Sequence, residues 1–193
     1  MNKYLEVSEY IDWKDSDILK LAKELSNDSS DELEVTNRCF EWVRDNIKHS
    51  WDYKMNPVTC KASDVLKHGT GYCYAKSHLL AALLRANNIP AGLCYQRLSI
   101  NDDGAPYSLH GLNAVYLKEF GWYRIDARGN KQGVDAQFTP PYEQLAFPIN
   151  EPEERDFSEI WSRPLDVVIN ALLSHQTVEE VANNLPDIDV ISI

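Results

Sequence analysis

The stretch 69-GTGYCYAKSHLLAALLRANNIP-90 decides how the rest of the chain is read. Gly69 and Gly71 permit a tight turn, and behind it Ala75, Leu79, Ala82, Leu83 and Ala86 recur at helical spacing. The pattern predicts a helix from about Cys73 to Asn87, closed by Pro90. Cys73 then stands on the first turn. There the positive end of the helix dipole favours a thiolate, and backbone N–H groups are available to a developing oxyanion, so one position serves two needs of acyl transfer. Cysteine is more often a small core residue, and Cys39 and Cys94 are read that way; the glycine turn and helix start single out Cys73 as a nucleophile.

A thiol nucleophile needs a base, and the base needs a group that fixes its tautomer. Of the five histidines, His110 falls in an expected strand between apolar residues, whereas His49, His68 and His175 fall at helix ends or in loops. Asp126, in the apolar run "WYRIDA" directly after a hairpin turn, is the candidate partner. The two share a face of the sheet only if the connection at "KEFG" has an odd residue count or a bulge. Sequence leaves that register open.

Around these residues the period of the apolar positions changes from helical to alternating. Helices are expected in "DSDILKLAKELS", after a capping box of Ser29 and Glu32, and in "DVLKH" behind Ser63, with "HSWDYKMNPVTCK" as a loop. Strands follow in "GLCYQRLSI", "LHGLNAVYL" and "WYRIDA", with a turn at "NDDG". Residues 129–156 read as an ordered loop over the sheet, and two short helices close the sequence behind Pro164 and a Thr177–Glu180 capping box. Helices first and strands in a block give an α+β fold, a central nucleophile-bearing helix on a small antiparallel sheet, in a single domain 1–193 with its core at about 30–130.

A formal net charge of -11 opposes broad attraction to nucleic acid or anionic membrane surfaces. The polar, acidic start "MNKYLEVSEYIDWKD" does not read as a signal peptide, so a cytoplasmic location with all four cysteines reduced is expected. His68, Cys73 and His78, with Cys60 upstream, fit no standard zinc spacing, and no metal or cofactor is expected.

Three segments in order resemble the transglutaminase-like superfamily: "GYCYAKSHLLAALLRANNIPAG" its nucleophile segment, "HGLNAVYL" its histidine strand and "GWYRIDARGN" its aspartate strand. The resemblance covers about residues 47 to 130. It implies the papain-like cysteine-proteinase core, with Cys73 as nucleophile, His110 as base and acid, and Asp126 orienting His110. It also implies an upstream aromatic residue completing the oxyanion hole, for which Trp51 and Tyr53 are the candidates. Leu112 and Ala114 stand where many members carry a tryptophan and an acidic residue, and Asn87 and Asn88 where a glycine is common. The expected activity is acyl transfer or hydrolysis on a peptide or protein amide through a thioester, with water or a primary amine as acceptor. A catalytically silent, peptide- or protein-binding relative is the alternative. Arylamine acetyltransferase chemistry ranks behind both, because "HGTGYC" lacks the arginine and paired glycines of that family's turn.

Overall fold

A computed structural model describes residues 1–101 and 103–189; Asp102, in the expected "NDDG" turn, lies outside them. The helices come first. α1 (Ser16–Leu25) is capped by Asp15, whose carboxylate accepts from the N–H groups of Asp17 and Ile18. α2 (Glu32–Asn46) is capped by Asp31, which accepts from Leu33 N–H at 3.0 Å. The expected capping box at Ser29 does not form. Ser29 Oγ donates to Glu34 instead, because Asp31, two residues nearer the helix, takes the capping position.

The segment expected as a loop after α2 holds structure of its own. β1 (Lys48–His49) and α3 (Ser50–Tyr53) precede α4 (Ala62–His68), and β2 (Thr70–Gly71) leads into α5 (Cys73–Ala86). β1 and β2 run parallel, with His49 opposite Gly71. That pairing carries the chain after α2 to within two residues of Cys73. Ser63 does not cap α4; its N–H and Oγ both turn to Asp12.

Every residue of α5 from Cys73 to Arg85 is buried, so this helix is the centre of the core rather than an amphipathic surface element. It lies between α1, α2 and α4 on one side and the sheet on the other. The sheet comprises β3 (Ala91–Ser99), β4 (Tyr107–Leu117) and β5 (Gly121–Ile125). Beyond them, the segment expected as loop holds a hairpin of β6 (Gln137–Thr139) and β7 (Tyr142–Gln144), and β8 (Arg155–Asp156). β8 joins the sheet as its fourth strand, giving the antiparallel order β5-β4-β3-β8. α6 (Asp166–Leu173) and α7 (Val178–Ala182) complete the chain, the latter with the full Thr177–Glu180 capping box. No helix among the described residues is long and apolar enough to cross a membrane.

The β4–β5 hairpin sets the register that matters. Leu117 pairs with Gly121, leaving residues 118–120 as the connection, an odd count. Gly121, the residue after that connection, takes φ +75°, a left-handed backbone that glycine adopts without steric cost. Asn113 therefore faces Ile125, and one step further along the same ladder Asp126 stands beside Leu112, on the face of β4 that carries His110.

Candidate active site

The opposite face of β4 packs on α5. Asn113 Nδ2 donates to Ser77 O at 2.9 Å, and a Cβ on Gly111 would lie 2.9 Å from Tyr74 Cδ1 and 3.1 Å from Tyr74 Cα. Only glycine lets the helix start come this close to the strand. Alternation thus puts His110 on the far face from the body of α5. The side chains meet across the strand edge, because β5 stops pairing with β4 at Asn113–Ile125 and leaves the edge beyond it open. Cys73 fills the gap: Gly111 N–H donates to its Sγ at 3.4 Å, and the sulfur lies close enough to the His110 ring to favour its charge.

His110 Nε2 is 2.7 Å from Asp126 Oδ2. Asp126 is fully buried and saturated: Oδ2 also accepts from Ala146 N–H at 3.2 Å, and Oδ1 from Arg128 N–H at 3.1 Å. Burial alone would raise its carboxyl, but the His110 charge and these donors hold it below the usual range. The reciprocal effect acts on His110. Burial opposes its charge, yet Asp126 and the Cys73 sulfur raise it to about 10. The Phe147 ring stands edge-on to the imidazole at 5.1 Å and closes that side against water.

Cys73 is 7% exposed and heads a helix whose N-cap, Tyr72, supplies no capping side chain. The amides of the first turn keep their donors free of side-chain acceptors, the arrangement that suits an oxyanion. The other three cysteines are buried, and burial pushes each up to about 12.

The structure thus brings Cys73, His110 and Asp126 together. It sets Trp51 and Tyr53 on α3 with exposed rings, Trp51 against the Lys54 ammonium and Tyr53 against that of Lys48. The residue that sequence reasoning passed over is His49. Its ring stands edge-on to Tyr72 at 5.6 Å, and its Nδ1 is buried without a hydrogen-bond partner, 3.6 Å from Asp52 Oδ2. Burial, with Arg128 adding to it, drives His49 well below the ordinary histidine range and keeps it neutral. Arg128 grips Asp52 through both guanidinium ends, at 2.6 and 3.1 Å, and Lys131 adds a third contact at 2.8 Å, so Asp52 is held down to about 2 despite burial. Buried Lys76, lowered to about 7 by desolvation, donates to Arg44 O and Ile47 O and ties α5 to the backbone just before His49. His49, Asp52 and Tyr53 line one side of a cavity of about 370 Å³ that Gly129, Asn130 and Lys131 close on the other. The only sequence signal for His49 was its place after the apolar Ile47, since a two-residue strand carries no period.

One of two solved structures similar to this chain shares the fold, at low identity. A candidate cysteine protease from Cytophaga hutchinsonii is 22% identical, with a TM-score of 0.52 over 65% of this chain and 40% of that one. The periplasmic domain of TgpA from Pseudomonas aeruginosa is 18% identical, with a TM-score of 0.47 over 64% of this chain and 45% of its own. This chain therefore spans less than half the length of either. No curated protein matches it. The profile of the Transglutaminase-like superfamily matches residues 19–127, from α1 to the residue after Asp126. More than half of the sequence, with the nucleophile helix and both partner strands inside it, falls under that match, and the chain belongs to the Transglutaminase-like superfamily.

Proposed function

We propose that this chain is a cysteine-dependent enzyme acting on peptide or protein amides through a thioester. The observation that carries the reading is the bonded pair His110–Asp126 on the strand whose next residue, Gly111, donates to the Cys73 sulfur at an uncapped helix start. In this reading the Cys73 thiolate attacks the carboxamide carbon, forming the C–S bond and a tetrahedral oxyanion. A charged His110 next to the sulfur favours the thiolate and holds the proton that the leaving amine takes as the C–N bond breaks. His110, now neutral, then accepts a proton from water or a primary amine as that group attacks the thioester, and the thiolate returns. Asp126 keeps Nε2 engaged so that Nδ1 faces the sulfur. The Cys73 N–H is one oxyanion donor, and neutral His49, held against Tyr72, is the second in preference to Trp51 or Tyr53. No step calls for a metal or organic cofactor. Free thiols at all four cysteines suit a reducing compartment such as the cytoplasm. One folded unit over 1–193 is part of the same reading, since β8 and the segment around Ala146 complete the sheet and the Asp126 contacts.

The test is thiol labelling paired with turnover. Iodoacetamide at neutral pH should modify Cys73 selectively, and Cys73→Ala should lose both that label and ammonia release from glutamine-bearing peptides. Incorporation of an added primary amine would mark transamidation, and its absence hydrolysis. Equal labelling of another cysteine in Cys73→Ala would remove the assignment.

A further inference from the structure

The open edge of β4 does not stop at Gly111. Two residues earlier on the same edge, Leu109 N–H donates to Pro186 O at 2.7 Å, and the Tyr74 hydroxyl donates to Leu109 O. Successive outward N–H groups on a strand are about 7 Å apart, so a peptide carbonyl is seated one strand repeat from the donor that touches Cys73 Sγ. The segment that supplies it continues onto the sheet. Asp187 meets Arg97 at both ends of its carboxylate, Oδ1 to Nε at 2.6 Å and Oδ2 to Nη2 at 2.8 Å, and Asp189 reaches Nη2 at 2.9 Å. Arg97 is the cross-strand partner of Leu109, so backbone donor and guanidinium face one ligand side by side. The arginine is fixed independently, with Nη1 on Glu153 O at 3.1 Å and its plane over the Tyr107 ring at 4.1 Å.

The two halves of this contact differ in kind. Arg97 is 8% exposed and built into the sheet, whereas the Asp187 and Asp189 side chains are 37% and 72% exposed and held by nothing else shown. An arginine fixed in the sheet and carrying two solvent-facing carboxylates, on a segment whose Pro186 is buried and whose Leu185 and Ile188 rest on the core, is what a binding site filled in cis looks like.

We propose that Leu109 and Arg97 form a binding site for an extended acidic peptide of the pattern Asp-x-Asp, and that Pro186–Asp189 of this chain occupies it beside the nucleophile. The site rests on the amide-acting reading above, and supplies its substrate class: peptides with acidic residues on one side of the reacting amide. While the chain's own segment is seated, a substrate strand has no backbone partner at Leu109, and Cys73 is screened.

The experiment uses the full chain with Asp187→Asn and Asp189→Asn together, both at exposed positions that leave the core untouched. Loss of two charge-assisted contacts should raise amide exchange at Leu109 and carbamidomethylation of Cys73 by roughly tenfold. Added peptide LPDID should slow both again, and LPNIN should not. Unchanged exchange at Leu109 in the double variant, or equal protection by the two peptides, would overturn the proposal. Exchange and peptide protection at Leu109 do not depend on thiol chemistry. If they respond while Cys73 stays unlabelled, the binding site stands and the nucleophile assignment fails.

Discussion

His110 and His49 are almost equally buried, 6% and 8% exposed, and within electrostatic reach of one another, yet their surroundings drive them in opposite directions. Around His110 a buried carboxylate and a sulfur outweigh desolvation, and the ring is held charged up to about 10. Around His49 the nearest carboxylate, Asp52, is already claimed by Arg128 and Lys131, so burial prevails and the ring stays neutral. Burial therefore does not assign a protonation state; the prior engagement of the neighbouring carboxylate does. In the proposed reaction, two rings separated in this way would serve as a proton donor and a neutral hydrogen-bond donor.

The strongest way to break the contrast is Asp126→Asn. It removes the charge that keeps His110 protonated and leaves its tautomer unspecified, and turnover should fall by about 10⁴-fold, read as kcat on a glutaminyl peptide. The same variant isolates a stability effect. A histidine whose folded value is raised from 6.5 to about 10 stabilises the fold fully below 6.5 and loses that contribution as pH rises toward 10. The urea midpoint of the parent should therefore fall relative to Asp126→Asn across that window. Lys76, lowered from 10.5 to about 7, slopes the opposite way over much of the same range; Asp126 opposes that lowering, so its loss lowers Lys76 further in the variant and adds to the relative fall of the parent.

Arg128→Gln attacks the other half. It frees Asp52 to act on His49 and leaves a part-buried carboxylate with Lys131 as its partner, at a cost of about 3–5 kcal/mol by denaturant unfolding. NMR titration should show His49 moving up toward the ordinary histidine range. A His49 resonance that does not move would mean that desolvation alone sets its state.

His49→Phe keeps a ring against Tyr72 and removes the ring N–H proposed as oxyanion donor. A loss of about 10²–10³ in kcat with KM little changed is the expectation for an oxyanion donor. Stability should respond with the sign opposite to His110. A histidine held neutral when folded favours folding above the unfolded value of 6.5 and loses that contribution as pH falls below it. The phenylalanine variant should lack that acid-side decline.

Much of this site was legible from residue order. The glycine turn, the apolar run after Cys73 and the alternation around His110 each follow from local periodicity, and those elements form as read. The convergence was not legible, because it depends on where β5 leaves β4 and on Gly121 belonging to the strand rather than to the turn. His49 escaped for a related reason: its position comes from pairing with Gly71, a contact between segments that neither segment signals alone. The fourth strand is likewise two residues long and is defined only by its partner on β3. The shift of the α2 cap from Ser29 to Asp31 shows two adjacent capping signals competing, with position relative to the helix deciding between them.

The connection at residues 118–120 has a consequence beyond geometry. Because each residue added or removed there turns the following strand over by one pleat, single-codon length changes in this short surface loop would swing Asp126 away from the imidazole, while paired changes would restore it. Loops of this kind usually tolerate drift in length. Here the number of residues in a solvent-facing turn is under the same constraint as the identity of the carboxylate at position 126, and lineages that vary it should do so in steps of two.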